Sequence, residues 1–190
     1  VSGKEVQAIP LPLSTARESV AFSPDGSLLA TTCLEGIRFF EPASGKQTRL
    51  IKSPRTFDKI AFSQDGKRLL AAGRLTGIRI FSVPSGAVEY TDASPTGADF
   101  FRVCFSPDGN LILGQRVTNV TVWDIRDPKK PVKILDYPHY YNADSYADAG
   151  FTEDGKRVAI PAWREGVKLI ELNTGKESPS TGPIGRTTCA

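Results

Sequence analysis

Four times along this chain an apolar residue and a hydroxyl residue lead into an Asp-Gly pair: FSPDG from Phe22 to Gly26, FSQDG from Phe62 to Gly66, FSPDG from Phe105 to Gly109 and FTEDG from Phe151 to Gly155. The glycines therefore recur at roughly 40 to 46 residues, about the length of one four-stranded propeller blade. Each Asp-Gly lies between stretches of β character, where a glycine supplies the positive φ that a tight hairpin needs. The repeat predicts four hairpins in register, and a chain built from one unit used four times.

The segments around each turn share a strand pattern. After the turn come nearly continuous apolar runs, Leu28 to Cys33, Arg68 to Gly73, Leu111 to Arg116 and Arg157 to Ala162, as suits strands buried on both faces. A third strand follows with period-two alternation, from Gly36, Gly77, Asn119 and Gly166. Ile37 and Phe39, Ile78 and Ile80, Val120 and Val122, and Val167 and Leu169 share one face. Phe40, Phe81, Trp123 and Ile170 occupy one equivalent place on the other. Both faces are apolar, so each sheet needs a neighbour on either side. Just before each turn, Ala21, Ala61, Cys104 or Gly150 stands between larger apolar residues, and a uniformly small position points to crowding where strands converge on an axis. Phe22, Phe62, Phe105 and Phe151 are the expected core anchors. Fourth strands are read at Gln47 to Ile51, Ala87 to Thr91 and Val132 to Leu135.

Phe-Ser-Pro-Asp-Gly, an apolar second strand and Val120-Thr121-Val122-Trp123-Asp124 closing the third together resemble the WD-repeat β-propellers. The resemblance runs from Val1 to about Lys176. It implies an all-β fold of four blades, each of four antiparallel strands, forming part of a larger ring. The blades fall at about 17–52, 57–92, 99–137 and 146–176, residues 1–12 supply the fourth strand of a preceding blade, and 177–190 form an irregular tail rich in Pro, Ser, Thr and Gly. Ser2-Gly3-Lys4 matches Ser44-Gly45-Lys46 and Thr174-Gly175-Lys176, and with the lack of any Met this reads as an internal segment of a longer polypeptide. The blades are degenerate. Only the third keeps Trp-Asp, with Phe40-Glu41, Phe81-Ser82 and Ile170-Glu171 elsewhere, and the family's Gly-His pair is absent throughout. Lactonase-type and translocation-type propellers share the Pro-Asp-Gly turn and stand as alternatives. So does a closed four-bladed ring completed by Val6 to Leu11.

Chemistry-bearing residues are sparse. His139 is the one histidine, and no cysteine lies near it. Asp25, Asp65, Asp108 and Asp154 recur because a turn needs them. Cys33, Cys104 and Cys189 form no C-x-x-C pair, and two of them fall inside strands as small hydrophobes. The Asn119-Val120-Thr121 sequon reads as a chance match. No catalytic residue, cofactor or metal is expected. The net charge of +3 is scattered without like-charge blocks, so nucleic acid is not implied. No apolar run approaches the roughly 18 residues of a membrane span. The compartment is left open, with the cytoplasm favoured.

In a propeller the links between second and third strands share a rim with the links entering each first strand, opposite the Asp-Gly turns. That rim collects Glu35, Arg74, Arg116, Trp163 and Arg164 with Arg17, Arg55, Asp99 and the long segment Pro138 to Tyr146. Arg, Tyr and Trp are the types enriched at binding hot spots, so Arg74, Arg116, His139, Tyr140, Tyr141, Asn142, Trp163 and Arg164 are the candidate partner-binding residues. Folding of Tyr140 and Tyr141 back onto a blade is the competing reading. The chain reads as a non-enzymatic protein-binding or scaffolding module. A propeller domain of an enzyme whose catalytic residues lie outside this segment and a structural subunit of a large assembly are the alternatives. Expected partners are another protein or further propeller blades, whether from the same parent chain, another subunit or a second copy.

Overall fold

Each Asp-Gly segment turns the chain through the same local chemistry. Gly26, Gly66, Gly109 and Gly155 adopt φ of 72°, 68°, 71° and 67°, the left-handed region where a Cβ is costly. The Gly26 amide donates to the Ser23 carbonyl at 2.8 Å, and the Ser23 amide donates to the Leu28 carbonyl at 2.9 Å, closing the hairpin. The computed structural model describes residues 8–9, 19–74, 76–91, 100–138, 148–162, 166–178 and 187–188, the last pair by backbone alone.

Four antiparallel sheets follow in chain order. Blade one contains β1 (Val20–Phe22), β2 (Leu29–Cys33), β3 (Gly36–Glu41) and β4 (Lys46–Lys52). Blade two contains β5 (Lys59–Phe62), β6 (Arg68–Gly73), β7 (Gly77–Ser82) and β8 (Val88–Thr91). Blade three contains β9 (Phe100–Phe105), β10 (Leu111–Arg116), β11 (Asn119–Asp124) and β12 (Val132–Pro138). In blade four, β13 (Gly150–Thr152), β14 (Arg157–Ala162) and β15 (Gly166–Glu171) are followed by β16 (Glu177–Ser178) and β17 (Thr187–Thr188). Strands within each blade pair in sequence order, except that in blade four β17 lies beside β13, and no described residue is helical. The first strands line up beside one another, β1 against β5 and β5 against β9. In the first three blades the third strand shifts register against the fourth at one equivalent place, Phe39/Phe40, Ile80/Phe81 and Val122/Trp123, a bulge that sharpens the twist of the outer strand.

Two expectations need correction. Residues 177–190 are not wholly irregular: β16 pairs with β15, and β17 adds to the free side of β13, because a sheet edge offers unpaired backbone groups to any extended segment within reach. Phe22 is not a core residue. It is 61% exposed, whereas Phe62, Phe105 and Phe151 are 1%, 4% and 0% exposed. The physical reason is position. Each buried Phe packs toward the preceding blade, and among the described residues no blade packs on that face of β1. Of residues 1–12 only Ala8 and Ile9 are described, and neither lies in a strand; the expected preceding-blade strand falls outside the described residues.

Three apolar joints hold the blades together. Between blades one and two, Ala30, Ile37 and Phe39 meet Ile60, Phe62, Leu69 and Phe81, with Ala21 and Leu28 packed against them. Phe39 and Phe62 cross this joint edge to face at 6.4 Å. Between blades two and three, Leu70, Ile78, Ile80 and Tyr90 meet Phe105, Ile112 and Trp123. Between blades three and four, Cys104, Leu113, Val122 and Leu135 meet Phe151, Val158 and Ile170. The lone Trp of the Trp-Asp pair fits because Gly114 leaves room: a Cβ there would approach Trp123 to 3.1 Å and the Phe100 ring to 2.8 Å.

Truncating Phe62, Phe105 or Phe151 to Ala should each cost about 3 to 5 kcal/mol, whereas Phe22→Ala in the isolated chain should stay within about 0.5 kcal/mol, as for an ordinary surface site. Urea unfolding followed by circular dichroism checks both, and comparable losses at all four positions would contradict the assignment of Phe22 to an open face.

Candidate functional site

The rim is assembled where two kinds of link meet. The Glu35 carbonyl, in the turn between β2 and β3, accepts the Ser53 amide at 2.8 Å. The Ala72 carbonyl accepts the Asp58 amide at 2.7 Å, and the Thr76 hydroxyl donates to the Thr56 carbonyl at 3.3 Å. The approach is close enough to require glycine: Gly36 has φ of 137°, and a Cβ on it would lie 2.0 Å from the Ile51 carbonyl oxygen. The inter-blade link is therefore seated on the strand turn, and the side chains that project from these links stand on a fixed backbone.

Arg74 and Arg116 are brought to this rim from adjacent blades. Arg74 is exposed in the turn between β6 and β7, where its backbone amide donates to Asp58 Oδ2 at 3.1 Å. Arg116 is half-buried at the end of β10, with its guanidinium 4.5 Å over the Phe100 ring. Blade two repeats the device, with Arg79 5.8 Å over Phe57. His139, Tyr140, Tyr141, Asn142, Trp163 and Arg164 lie outside the described residues.

Sequence reasoning overlooked two features here. Leu34 and Val117 occupy the second-to-third-strand turns of blades one and three and are 51% and 41% exposed. An apolar residue at a turn that solvation alone would fill with a polar one is a readable signal. The second is the ion pair between Arg102 and Asp148, which joins the entry of blade three's first strand to that of blade four and borders a cavity of about 370 Å³ on the inner strands, shared with Val20, Phe22, Lys59 and Phe101. Nothing local in the sequence links those two charges.

The opposite face is chemically closed. Ser23, Ser63, Ser106 and Thr152 each donate a hydroxyl to the carboxylate two residues on, at 2.6 Å. The same carboxylate accepts the backbone amide of Ser27, Lys67, Asn110 or Lys156 at 3.0 Å. The hydroxyl from Ser23 and the amide and hydroxyl of Ser27 hold Asp25 down at about 2. Asp65 and Asp154 are lowered chiefly by the Ser63 and Thr152 hydroxyls. At Asp108 burial opposes the shift, but the bonds from Ser106 and Asn110 prevail and the carboxyl is still lowered. Carboxylates held ionised and saturated with donors are turn elements, poorly suited to moving protons at neutral pH. The Asp of the Trp-Asp pair is likewise occupied, accepting the Arg126 amide and guanidinium at 3.0 Å. Asn119 of the sequon gives its amide to Thr121 and Asp136. Among the described residues no three His, Cys, Asp or Glu side chains gather as a metal site would, and no helix is long and apolar enough to cross a membrane.

No family model matches the chain. WD repeat-containing protein 1 of Gallus gallus is similar, 28% identical over 137 residues, a stretch covering 68% of this chain and 22% of that protein. The chain thus spans about a fifth of the length of that curated relative. Among solved structures, the Cps50 (Swd1) β-propeller domain of Myceliophteria thermophila superposes with a TM-score of 0.72 at 15% identity, covering 95% of this chain and 60% of that domain. The fold is that of a WD-repeat-like β-propeller.

The four turn carboxyls all have folded values below their ordinary 3.8. Their contribution to stability is thus in place above about pH 4 and is lost as pH falls toward 2. Carbon-13 NMR titration should place Asp25 near 2, and Ser23→Ala should move it upward toward 3.8. An unshifted midpoint in that variant would remove the hydroxyl as the cause.

Proposed function

We propose that this WD-repeat-like β-propeller is a non-enzymatic protein-recognition module that works through the rim carrying Arg74 and Arg116. The contrast between its two faces carries the reading. On one face the polar atoms of the Asp-Gly turns bond one another, leaving little for a partner to complete. On the other, exposed Leu34, Val117 and Arg74 stand on links locked to the strand turns, and Arg116 is pre-oriented on Phe100. Exposed aliphatic and Arg side chains on a fixed scaffold are what a binding surface requires, since little conformational freedom remains to be lost on association. Propellers of the WD-repeat kind, to which the chain is similar, typically serve as interaction or scaffold modules.

His139, Tyr140, Tyr141 and Asn142 follow β12 in the link to blade four, and Trp163 and Arg164 follow β14 before the third strand of that blade. They occupy the same two classes of link as the described rim residues, and they join the proposed surface on that ground.

The test begins with a partner identified by crosslinking and then measured by calorimetry. Arg74→Ala, Tyr140→Ala and Trp163→Ala should each weaken binding by about 2 kcal/mol, roughly thirtyfold. Gln64→Ala and Glu153→Ala, exposed on the turn face, should leave it unchanged. Binding that resists the rim variants and is lost with folded turn-face variants would put the surface on the other side of the molecule.

A further inference from the structure

One register position sets blade two apart from its sisters. The third residue of each third strand is Arg38 in blade one, Arg79 in blade two, Thr121 in blade three and Lys168 in blade four. Outside blade two, each of these side chains meets a carboxylate of its own blade. Arg38 donates to Glu35, in the turn just before β3, at 2.8 Å. The Thr121 hydroxyl donates to Asp136 of β12 at 3.1 Å, and the Lys168 ammonium stands 3.7 Å from the carboxylate of Glu177 in β16. Arg79 is the exception. Thr76 takes the place of Glu35 ahead of β7, and its hydroxyl is turned to the Thr56 carbonyl. The cross-strand neighbours of Arg79 are Ala71 and Thr91, neither of them charged.

Arg79 is held by a ring instead of a charge. Its guanidinium lies 5.8 Å over Phe57, which is fully buried and itself fixed edge to face by Phe81 at 5.8 Å. The residue is half-buried. Among the described residues it makes no hydrogen bond, and its Nε is shielded from water without an acceptor. A guanidinium carries five N–H donors and keeps its proton, so donors left unanswered beside apolar groups are costly, while stacking on the ring fixes their direction in advance. The end of β4, the link from blade one to blade two and the turn beyond β6 add exposed Lys52, Arg55 and Arg74. Of the carboxylates on this sector, Glu35 is paired with Arg38 and Asp58 accepts the Arg74 amide. The sector is rich in positive charge and one carboxylate short of the pattern in its sister blades.

We propose that Arg79 receives a carboxylate side chain of the bound partner protein, seated at the rim between blades one and two. The inference rests on the reading of that rim as the recognition surface and adds the chemistry of what is recognised, an acidic segment. The sister positions carry the assignment: the same place in the same unit is answered by a carboxylate in each of the other blades. With Nε shielded, the incoming carboxylate meets the terminal nitrogens, where two parallel N–H···O bonds suit the planar guanidinium. Lys52, Arg55 and Arg74 favour the approach of a segment that carries further negative charge. Every group involved belongs to blades one and two and the link that joins them.

Nitrogen-15 NMR of the parent chain tests this before any partner is known. A blocked glutamate tripeptide should shift the Arg79 Nε–Hε signal saturably, whereas the glutamine tripeptide and sodium chloride at matched ionic strength should leave it in place. The signal is assigned by its loss in Arg79→Lys. The signal of Arg38, whose carboxylate is already supplied, should move several-fold less. A signal indifferent to the glutamate peptide, or one that follows ionic strength alone, would overturn the site. A signal moved by phenyl phosphate and not by the peptide would overturn the assignment to a carboxylate. Against the crosslinked partner, Arg79→Gln, checked for folding by circular dichroism, should weaken binding by about tenfold or more, and the loss should shrink at high salt. Full affinity in Arg79→Gln while Arg74→Ala weakens binding would overturn this inference and leave the rim reading standing. Full affinity in Arg74→Ala and the other rim variants, with the peptide still moving Arg79, would support the site and count against the rim reading.

Discussion

Packing of one blade against the next is the constraint on which the rest of this structure depends. A four-stranded sheet that is apolar on both faces has no stable existence in water alone. Its second strand, with runs such as RLLAAG and LILGQR buried almost throughout, is tolerable only between neighbours. The inner strands meet through a Phe from one blade and a small residue from the blade before it, and that pairing sets how closely adjacent sheets approach. The Gly114 and Trp123 contact solves the same problem within a single blade, where a large ring is admitted because a side chain is missing across from it.

The division of labour between the two ends of the sheets follows from that packing. Hairpins at one end carry no apolar burden, so their stability comes from polar self-satisfaction: hydroxyl to carboxylate, carboxylate to amide, and glycine in the left-handed region. At the other end the chain must cross from the outer strand of one blade to the inner strand of the next, and it does so by hydrogen-bonding to the neighbouring turn. Some side chains there share in the fastening, as Thr76 and Asp58 do, and others are left exposed. Leu34 and Val117 stand exposed in these turns, and Arg74 is exposed beside them with its backbone amide bonded to Asp58.

Much of the fold was legible because each signal was local and repeated. Asp-Gly with a preceding hydroxyl marks a hairpin wherever it occurs. Period-two apolar alternation marks a strand, and recurrence at blade length marks the architecture. The rim was legible only in outline: the alternation of strand and link told which residues share an end, and it led to Arg74 and Arg116. It did not show that Arg116 is stacked on Phe100, that Arg102 pairs with Asp148, or that Leu34 and Val117 are left uncovered. Those depend on distances between residues tens of positions apart, and no local pattern encodes them.

Phe22 draws the line between the two kinds of knowledge. Its residue type, its strand and its place ahead of the turn were set by sequence, identically to Phe62, Phe105 and Phe151, and on sequence alone the four are indistinguishable. Whether such a ring is buried depends on what lies against it. Among the described residues three of them have a blade packed against them and one does not, so tertiary structure alone decided that the same motif is buried in three places and exposed in the fourth. The amino-acid sequence determined the unit, its turns and its two-sided apolarity, because these arise from contacts within a few residues. Burial, ion pairing and the composition of the exposed faces were decided by the stacking of units, because hydrophobic and electrostatic free energies depend on the surface removed from water by neighbours that the local chain does not contain.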